Sequence, residues 1–112
     1  MAIINQYKFF GVTSTAAETA TMLSPLISET FIIKSLHLTN KSDSNTPNIT
    51  ITNNAFQVIN TQTLATAASV EILTNPMVVE GSTILQYTTA GTMGDGVVIT
   101  ISYLNIKKEV TV

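Results

Sequence analysis

The sequence predicts an all-β protein, an antiparallel β-sandwich or jelly roll of about seven to eight strands. The chain holds 19 Thr residues, which are β-branched and suit a pleated, half-solvated surface. Apolar and polar residues alternate with a period of two at Asn48–Thr52 and Val97–Tyr103. Turn residues recur about every 8–12 positions, and no helical period is present. The 112 residues fit one domain, residues 1–112, with 1–6 and 107–112 as possible assembly arms.

Aromatic and apolar runs define the first predicted strands. Tyr7–Val12 is a short aromatic strand. The segment Thr13–Glu29 is rich in Ser, Thr and Ala, which predicts a loop with one short strand around Thr19–Leu23. Thr30–Asn40 is apolar on both faces, as is typical of a strand that is central or covered.

A polar turn at Lys41–Pro47 separates this strand from the next one. Its Ser, Asp, Asn and Pro residues are those that turn and cap the backbone. Asn48–Thr52 then alternates cleanly, with Ile49 and Ile51 on the inward side. The strands on either side of this turn are predicted to form an antiparallel hairpin with a long loop.

The C-terminal half is predicted to contain shorter strands that stop at Asn, Gly or Pro. They are Ala55–Asn60, Val70–Leu73, Thr83–Thr88 and Val97–Ile106, and Met77–Val79 leads into a tight turn at Glu80-Gly81-Ser82. In the last strand, Val97, Ile99, Ile101 and Tyr103 share one face. The glycine-rich segment Thr89–Gly96 before it predicts the flexible turn of a hairpin.

Composition argues against chemistry and for assembly. The chain has no Arg, Cys or Trp and a single His, so it lacks the residues on which catalysis, metal binding and phosphate recognition mostly draw. A net charge of −2 without Arg argues against nucleic acid as a partner. Charged residues make up 11%, against roughly 25% in ordinary proteins. Either the solvated surface is largely Thr, Ser, Asn and Gln, or partners cover a good part of it.

The candidate polar sites favour structural roles. His37 has no further metal ligands or orienting acid within sequence reach, so we expect a structural or interface histidine. Asp43–Asn45 and Asp95 lack the ligand spacing of a calcium loop and are predicted to cap turns. Thr92–Gly96 precedes a strand and carries no Lys, unlike a phosphate cradle. We therefore assign no catalytic, cofactor-binding or metal-binding residue.

The aromatic side chains distinguish two kinds of binding protein. Most of them alternate onto apolar faces, which favours core packing over a platform for sugar stacking. A glycan-binding protein would instead present Tyr or Phe in a groove lined by Asn and Asp, whereas a cement protein would bury its aromatics. The residues concerned are Tyr7, Phe9, Phe10, Phe31, Phe56, Tyr87 and Tyr103.

Three blocks of the sequence resemble small β-sandwich virion proteins of tailed bacteriophages. The first block is Ile33–Asn40 (IKSLHLTN), the second is the turn Glu80-Gly81-Ser82, and the third is Ile99–Ile106 (ITISYLNI). The resemblance covers roughly Phe31 to Ile106, and Ser82 stands where the pattern often has Asp. It implies a capsid decoration or tail-associated protein.

The expected function is therefore structural and not enzymatic. We expect a capsid decoration or cement protein that stabilises the head lattice by protein–protein contacts; the alternative is a tail-associated or receptor-binding module that recognises a host surface glycan. A homo-oligomer, of which a trimer is the expected form, would dock on the major capsid protein or other virion proteins, without cofactor, nucleic acid or membrane. No signal peptide is predicted, so we expect synthesis in the host cytoplasm and a final place in the virion. The predicted assembly contacts are the apolar residues near the termini: Ile3, Ile4, Val110 and Val112.

Overall fold

The protein consists of nine β-strands, as seen in a computed structural model that describes residues 3–108, with side chains from residue 5 onward. Within these residues there is no helix. It follows that none of them forms a helix long and apolar enough to cross a membrane. The strands are β1 (Ile3–Ser14), β2 (Thr19–Leu23), β3 (Glu29–Asn40), β4 (Asn48–Asn53), β5 (Phe56–Thr63), β6 (Ser69–Glu71), β7 (Met77–Val79), β8 (Leu85–Ala90) and β9 (Val97–Lys108).

The strands form two antiparallel sheets whose order is that of a jelly roll. Sheet A has the order β1-β9-β3-β6, and β7 also pairs with β3 beside β6. Sheet B has the order β2-β8-β4-β5. When β6 and β7 are counted as one position, these are the two four-stranded sheets of an eight-position jelly roll. The all-β sandwich predicted from the sequence is confirmed, and the topology selects the jelly roll.

Alternate residues of the long strands fill the space between the sheets. β9 contributes Val97, Ile99 and Ile101, and β4 contributes Ile49 and Ile51; all five are fully buried. The predicted inward faces of both strands are thus confirmed. At one end of the core the rings of Phe31 and Tyr103 pack at a centroid distance of 4.8 Å and a tilt of 43°, a geometry that aromatic pairs favour.

β9 is the central strand of sheet A. It pairs with β1 from Ile3↔Lys108 to Ser14↔Val97, and with β3 from Glu29↔Lys107 to Asn40↔Val97. The prediction for β3 holds in part, because this strand is central but only its inner face is covered by sheet B. Its inner residues include Ile33, Leu36 and Leu38, each fully buried.

The predicted hairpin between β3 and β4 is wrong, because these strands lie in different sheets. The segment between them crosses the end of the sandwich and is fastened by the buried amide of Asn40. The Asn40 Nδ2 donates to the carbonyl oxygens of Asn45 at 2.9 Å, Leu64 at 3.3 Å and Ala65 at 3.1 Å. Its Oδ1 accepts from the Ser42 backbone N–H at 3.0 Å. These bonds satisfy backbone groups of the loops at this end of the sandwich, which lie outside the strands.

The glycine-rich turn before β9 is also a crossover and not a hairpin turn, since β8 and β9 belong to opposite sheets. Met93 anchors it by inserting a buried side chain into the core. Gly94 (φ 59°) and Gly96 (φ 103°) adopt the left-handed conformations that let the chain reverse in a short span.

A β-bulge in β3 changes the face assignment of His37. Strict alternation puts His37 on the same face as Phe31 and Ile33, but the register with β9 shifts between Ile33 and Ser35. The extra residue turns Phe31 and Ile33 inward and His37 outward. His37 is therefore half-buried on the outer face of sheet A, opposite Thr100 on β9 and Glu71 on β6.

We predict that Ile101→Asp unfolds the protein, because Ile101 is 0% exposed at the centre of β9. An unpaired buried carboxylate costs several kcal/mol, comparable to the whole stability of about 5–15 kcal/mol of a small domain. The neighbouring change Thr100→Asp lies on the outer face and should cost far less. Urea unfolding followed by circular dichroism measures both; equal and small effects would contradict the burial pattern of β9.

Candidate interaction surface

The outer face of sheet A carries a stripe of apolar side chains that crosses four strands in register. Tyr7 on β1 pairs with Leu104 on β9, Leu104 with Ile32 on β3, and Ile32 with Val78 on β7. Directly paired residues point to the same face of a sheet, so these four side chains form one continuous row. We call it the apolar stripe. Tyr7 is 80% exposed, and Val78 is exposed as well.

In the row of paired residues next to the apolar stripe, a hollow lies beside the ring of Phe9. Phe9 is 69% exposed and pairs with the small residue Ser102. Tyr7 and Phe9 of β1, together with Lys34 and Ser102, line a hollow of about 410 Å³. Beyond it the outer face becomes polar, with Thr100 and His37 in the next row. A protruding side chain of a partner could fill this hollow while covering the stripe.

Exposed apolar residues are concentrated in one half of the sandwich, where β1 begins and β9 ends; we call it the proximal half. Besides the stripe, it contains the exposed side chains of Leu26, Ile27 and Phe56. Lys107 and Lys108, at the end of β9, also lie here. The surface of the proximal half thus combines exposed apolar side chains with a pair of lysines. An ordinary monomer exposes fewer large apolar side chains side by side.

The opposite, distal half presents carboxylates and short polar side chains. Its loops contain Asp43 and Asp95, and Glu18 accepts hydrogen bonds from the hydroxyls of Tyr87 at 2.7 Å and Ser14 at 3.0 Å. These bonds, that of Tyr87 first, lower the pKa of Glu18. Burial and then the bond to Glu18 raise the pKa of Tyr87. The distal half therefore has a well-hydrogen-bonded polar surface.

Glu29 fixes the loop that displays Leu26 and Ile27 in the proximal half. One carboxylate oxygen accepts from the Leu26 backbone N–H at 2.9 Å, and the other accepts from the Asn105 Nδ2 at 2.8 Å. The Leu26 bond and then the Asn105 bond hold the pKa of Glu29 below its ordinary value. Gly81 packs under this loop, where a Cβ would lie 2.7 Å from the Leu26 carbonyl oxygen.

Among residues 3–108, β1 is the long edge strand of sheet A, and no other strand pairs with its outer edge. It spans 12 residues, whereas the opposite edge of sheet A is formed by the three-residue strands β6 and β7. Lys8 is the only charged residue within β1, so this edge has little of the charge that usually blocks pairing with another chain.

Two of the four predicted assembly contacts, Ile3 and Ile4, belong to β1, and the other two do not lie in a described strand. The backbones of Ile3 and Ile4 belong to β1, where they pair with Lys108 and Lys107 of the same chain. Their side chains, and the whole of Val110 and Val112, lie outside the residues that the structure describes. These four contacts stay predictions.

Two of the other singled-out segments, the Asp43–Asn45 turn and the Thr92–Gly96 loop, lie against each other, with the Lys41 N–H donating to the Gly96 carbonyl oxygen at 2.9 Å. His37 lies apart from them on the outer face of sheet A. Residues 3–108 contain no group of three or more His, Cys, Asp or Glu side chains that could hold a metal ion. The turn predicted to be capped by Asp43–Asn45 is organised by Ser42, whose Oγ accepts from the backbone N–H of Asn45 at 2.9 Å. Glu71 accepts from the Ser35 hydroxyl and, at 2.8 Å, from the Leu36 backbone N–H, at the bulge in β3.

The aromatic side chains divide between the core and the surface. Phe31, Tyr87 and Tyr103 are buried, as predicted. Phe10 is partly buried against the core, so four of the seven aromatics pack as expected, whereas Tyr7, Phe9 and Phe56 are exposed. Phe56 stands at the start of β5 next to Asn53 and Asn54. The feature of the sequence that set Phe56 apart from the core aromatics was its position two residues after Asn53-Asn54, at a turn.

No family model matches the chain, and no curated protein matches it either. Among solved structures, the chain is similar to a protein of the Bacillus endospore appendages, described as a novel family of disulfide-linked pili. The two are 19% identical with a TM-score of 0.54, and the match covers 96% of this chain and 89% of that one. At this identity the likeness concerns the fold.

The comparison bears out a small all-β fold shared with a structural protein of a pilus-like appendage. It gives no support to the finer expectation of a bacteriophage virion protein. Because the chain contains no Cys, its 112 residues cannot form the disulfide links that the appendage is described as having.

We predict that Glu29→Gln destabilises the protein at neutral pH, because the amide keeps only one acceptor oxygen for the two bonds of the carboxylate. The folded-state pKa of Glu29 is lowered, so its stabilisation is fully present above the ordinary glutamate pKa. It is lost as the pH falls through the lowered value. Urea unfolding at pH 7 and in acid should show a difference from the unmodified chain that shrinks in acid. Glu80→Gln is the control, since within residues 3–108 the Glu80 side chain accepts no hydrogen bond.

Proposed function

We propose that this chain is a non-enzymatic structural subunit that assembles with copies of itself and with a larger protein lattice. The observation that carries this proposal is the apolar stripe, which crosses sheet A in register from Tyr7 to Val78. Two large rings that are 80% and 69% exposed present on the order of 300 Å² of aromatic surface. A contiguous exposed apolar patch of this size on a small protein is often functional, and we infer that it is an interaction site.

The mode of contact follows from the geometry of β1. A partner strand can add to the free edge of β1 while a partner surface covers Tyr7 and Phe9 on the outer face of sheet A. The apolar stripe and the edge of β1 then face the assembly, whereas the polar loops of the distal half face solvent. With no Cys in the chain, the contacts are non-covalent and rest on apolar burial and backbone hydrogen bonds.

The proposed setting is the virion of a tailed bacteriophage, where the chain serves as a decoration or cement protein on the capsid. The sequence blocks Ile33–Asn40 and Ile99–Ile106 support this setting by their resemblance to such proteins. The fold likeness to a pilus-like appendage supports the broader proposal of self-association in an extracellular structure. A trimer is the proposed oligomer, and a tail location is the alternative to the capsid.

Size-exclusion chromatography with light scattering tests the assembly. We expect the unmodified chain to form an oligomer and the double variant Tyr7→Ser, Phe9→Ser to be a folded monomer, because both side chains are exposed and contribute little to the core. Phe56→Ala removes an equally exposed ring that is not part of the apolar stripe, although it lies near Val78 at the far end of the stripe from Tyr7, and it should leave the oligomer intact. A stable dimer would exclude the trimer alone.

Two results would defeat the assembly proposal. One is an unmodified chain that is monomeric at high concentration and also fails to bind purified particles of its source. The other is a double variant that assembles as well as the unmodified chain, since the apolar stripe would then play no part.

A further inference from the structure

A small groove of mixed polarity lies in the proximal half, where the edges of the two sheets meet. Its walls are the turn between β4 and β5 and the loop that follows β7, and its volume is about 230 Å³. Drug-sized pockets usually measure roughly 300–1,000 Å³, so this groove has room for a single ring. It is lined by Asn53, Asn54, Phe56, Val78, Glu80 and Thr83.

Backbone and side-chain hydrogen bonds hold the groove in shape. The Asn53 Nδ2 donates to the Val78 carbonyl oxygen at 2.9 Å, which joins the turn of sheet B to β7 of sheet A. Asn54 adopts φ 56°, and its N–H donates to the Ile84 carbonyl oxygen at 2.7 Å. The Thr83 hydroxyl donates to the Glu80 carbonyl oxygen at 2.7 Å. The groove is thus preorganised by contacts that do not consume the carboxylate of Glu80.

The groove combines one apolar ring with several hydrogen-bonding groups. Phe56 is 76% exposed, so it presents its ring without contributing to the core. The Glu80 carboxylate can accept two hydrogen bonds, the Asn54 amide can donate and accept, and the Thr83 oxygen retains free lone pairs. A pyranose sugar has the matching chemistry, with an apolar face of C–H groups and a rim of hydroxyls that donate and accept.

Other ligand classes fit this groove less well. A metal ion would find one carboxylate, which is too few ligands for calcium or zinc. A phosphate or an acidic sugar would meet the negative charge of Glu80, and none of the lining residues is a lysine. An apolar side chain of a partner protein would cover the Glu80 carboxylate and leave it unpaired, at a cost of several kcal/mol. The chemistry therefore selects an uncharged ligand with adjacent hydroxyls.

We propose that this groove binds one neutral pyranose residue of a glycan, with Phe56 stacking on the sugar ring and Glu80 accepting from two adjacent hydroxyls. This goes beyond the assembly function, since the groove needs no second subunit. It would let an assembled particle or appendage attach to a carbohydrate-coated surface while the apolar stripe holds the subunits together.

An array of immobilised neutral glycans, followed by titration of the best-bound soluble oligosaccharide, tests the proposal. Phe56→Ala should weaken binding by about tenfold, the usual weight of an aromatic contact. Glu80→Gln should weaken it by a similar factor, because charge-assisted hydrogen bonds are replaced by neutral ones. Ile27→Ala is the control: it removes an apolar side chain that is 87% exposed and lies outside both the groove and the apolar stripe, and it should bind sugar as the unmodified chain does.

The outcomes separate this proposal from the assembly function. Loss of glycan binding in Phe56→Ala with an unchanged oligomer supports the groove as an independent site. Absence of binding to every neutral glycan, or equal binding by Phe56→Ala and the unmodified chain, would overturn the sugar site and leave the assembly proposal standing. Loss of binding in Ile27→Ala but not in Phe56→Ala would also overturn it.

Discussion

The structure depends on the insertion of β9 between β1 and β3. This last strand supplies the buried residues Val97, Ile99 and Ile101 and pairs along its full length with both neighbours. Its partners begin at Ile3 and Glu29, so the central ladder of sheet A joins the two ends of the chain. Pairings of such long sequence separation are slow to form and cooperative once formed. Every surface of sheet A, including the apolar stripe, exists only when β9 is in place.

The strength of the alternating pattern decides how much of this fold could be predicted from the sequence. β4 and β9 were predictable because the apolar residues of both recur with a period of two. The wrong hairpins share one cause, since a polar turn shows that the chain reverses but not whether the next strand enters the same sheet. Asn40 settles that choice through bonds to residues up to 25 positions away, which no local pattern records.

The face assignments on β3 show a second limit of sequence reasoning. A single bulge at Lys34 and Ser35 reverses the direction of every residue after it, including His37. The candidate surfaces were harder still to predict. Tyr7 and Phe9 lie in an aromatic run that resembles a core strand, and their exposure follows from the edge position of β1. The groove at Phe56 joins residues 53–56 to residues 78–83, a proximity that depends on the jelly-roll topology.

The low fraction of charged residues is explained by two kinds of surface, one covered by neutral polar side chains and the other formed by the apolar stripe. Thr and Ser pairs across neighbouring strands, such as Thr19 with Thr88 at 2.9 Å and Thr39 with Ser69 at 2.9 Å, satisfy one another on the solvent side. A surface of this kind stays hydrated without repelling a second copy, whereas a surface with ordinary charge would oppose close packing of like subunits. The two explanations of the composition therefore apply to different parts of one molecule: neutral polar side chains cover the outer strands of the sandwich, and the apolar stripe is left for a partner to cover. Under the proposed function, a subunit that packs against copies of itself gains from both.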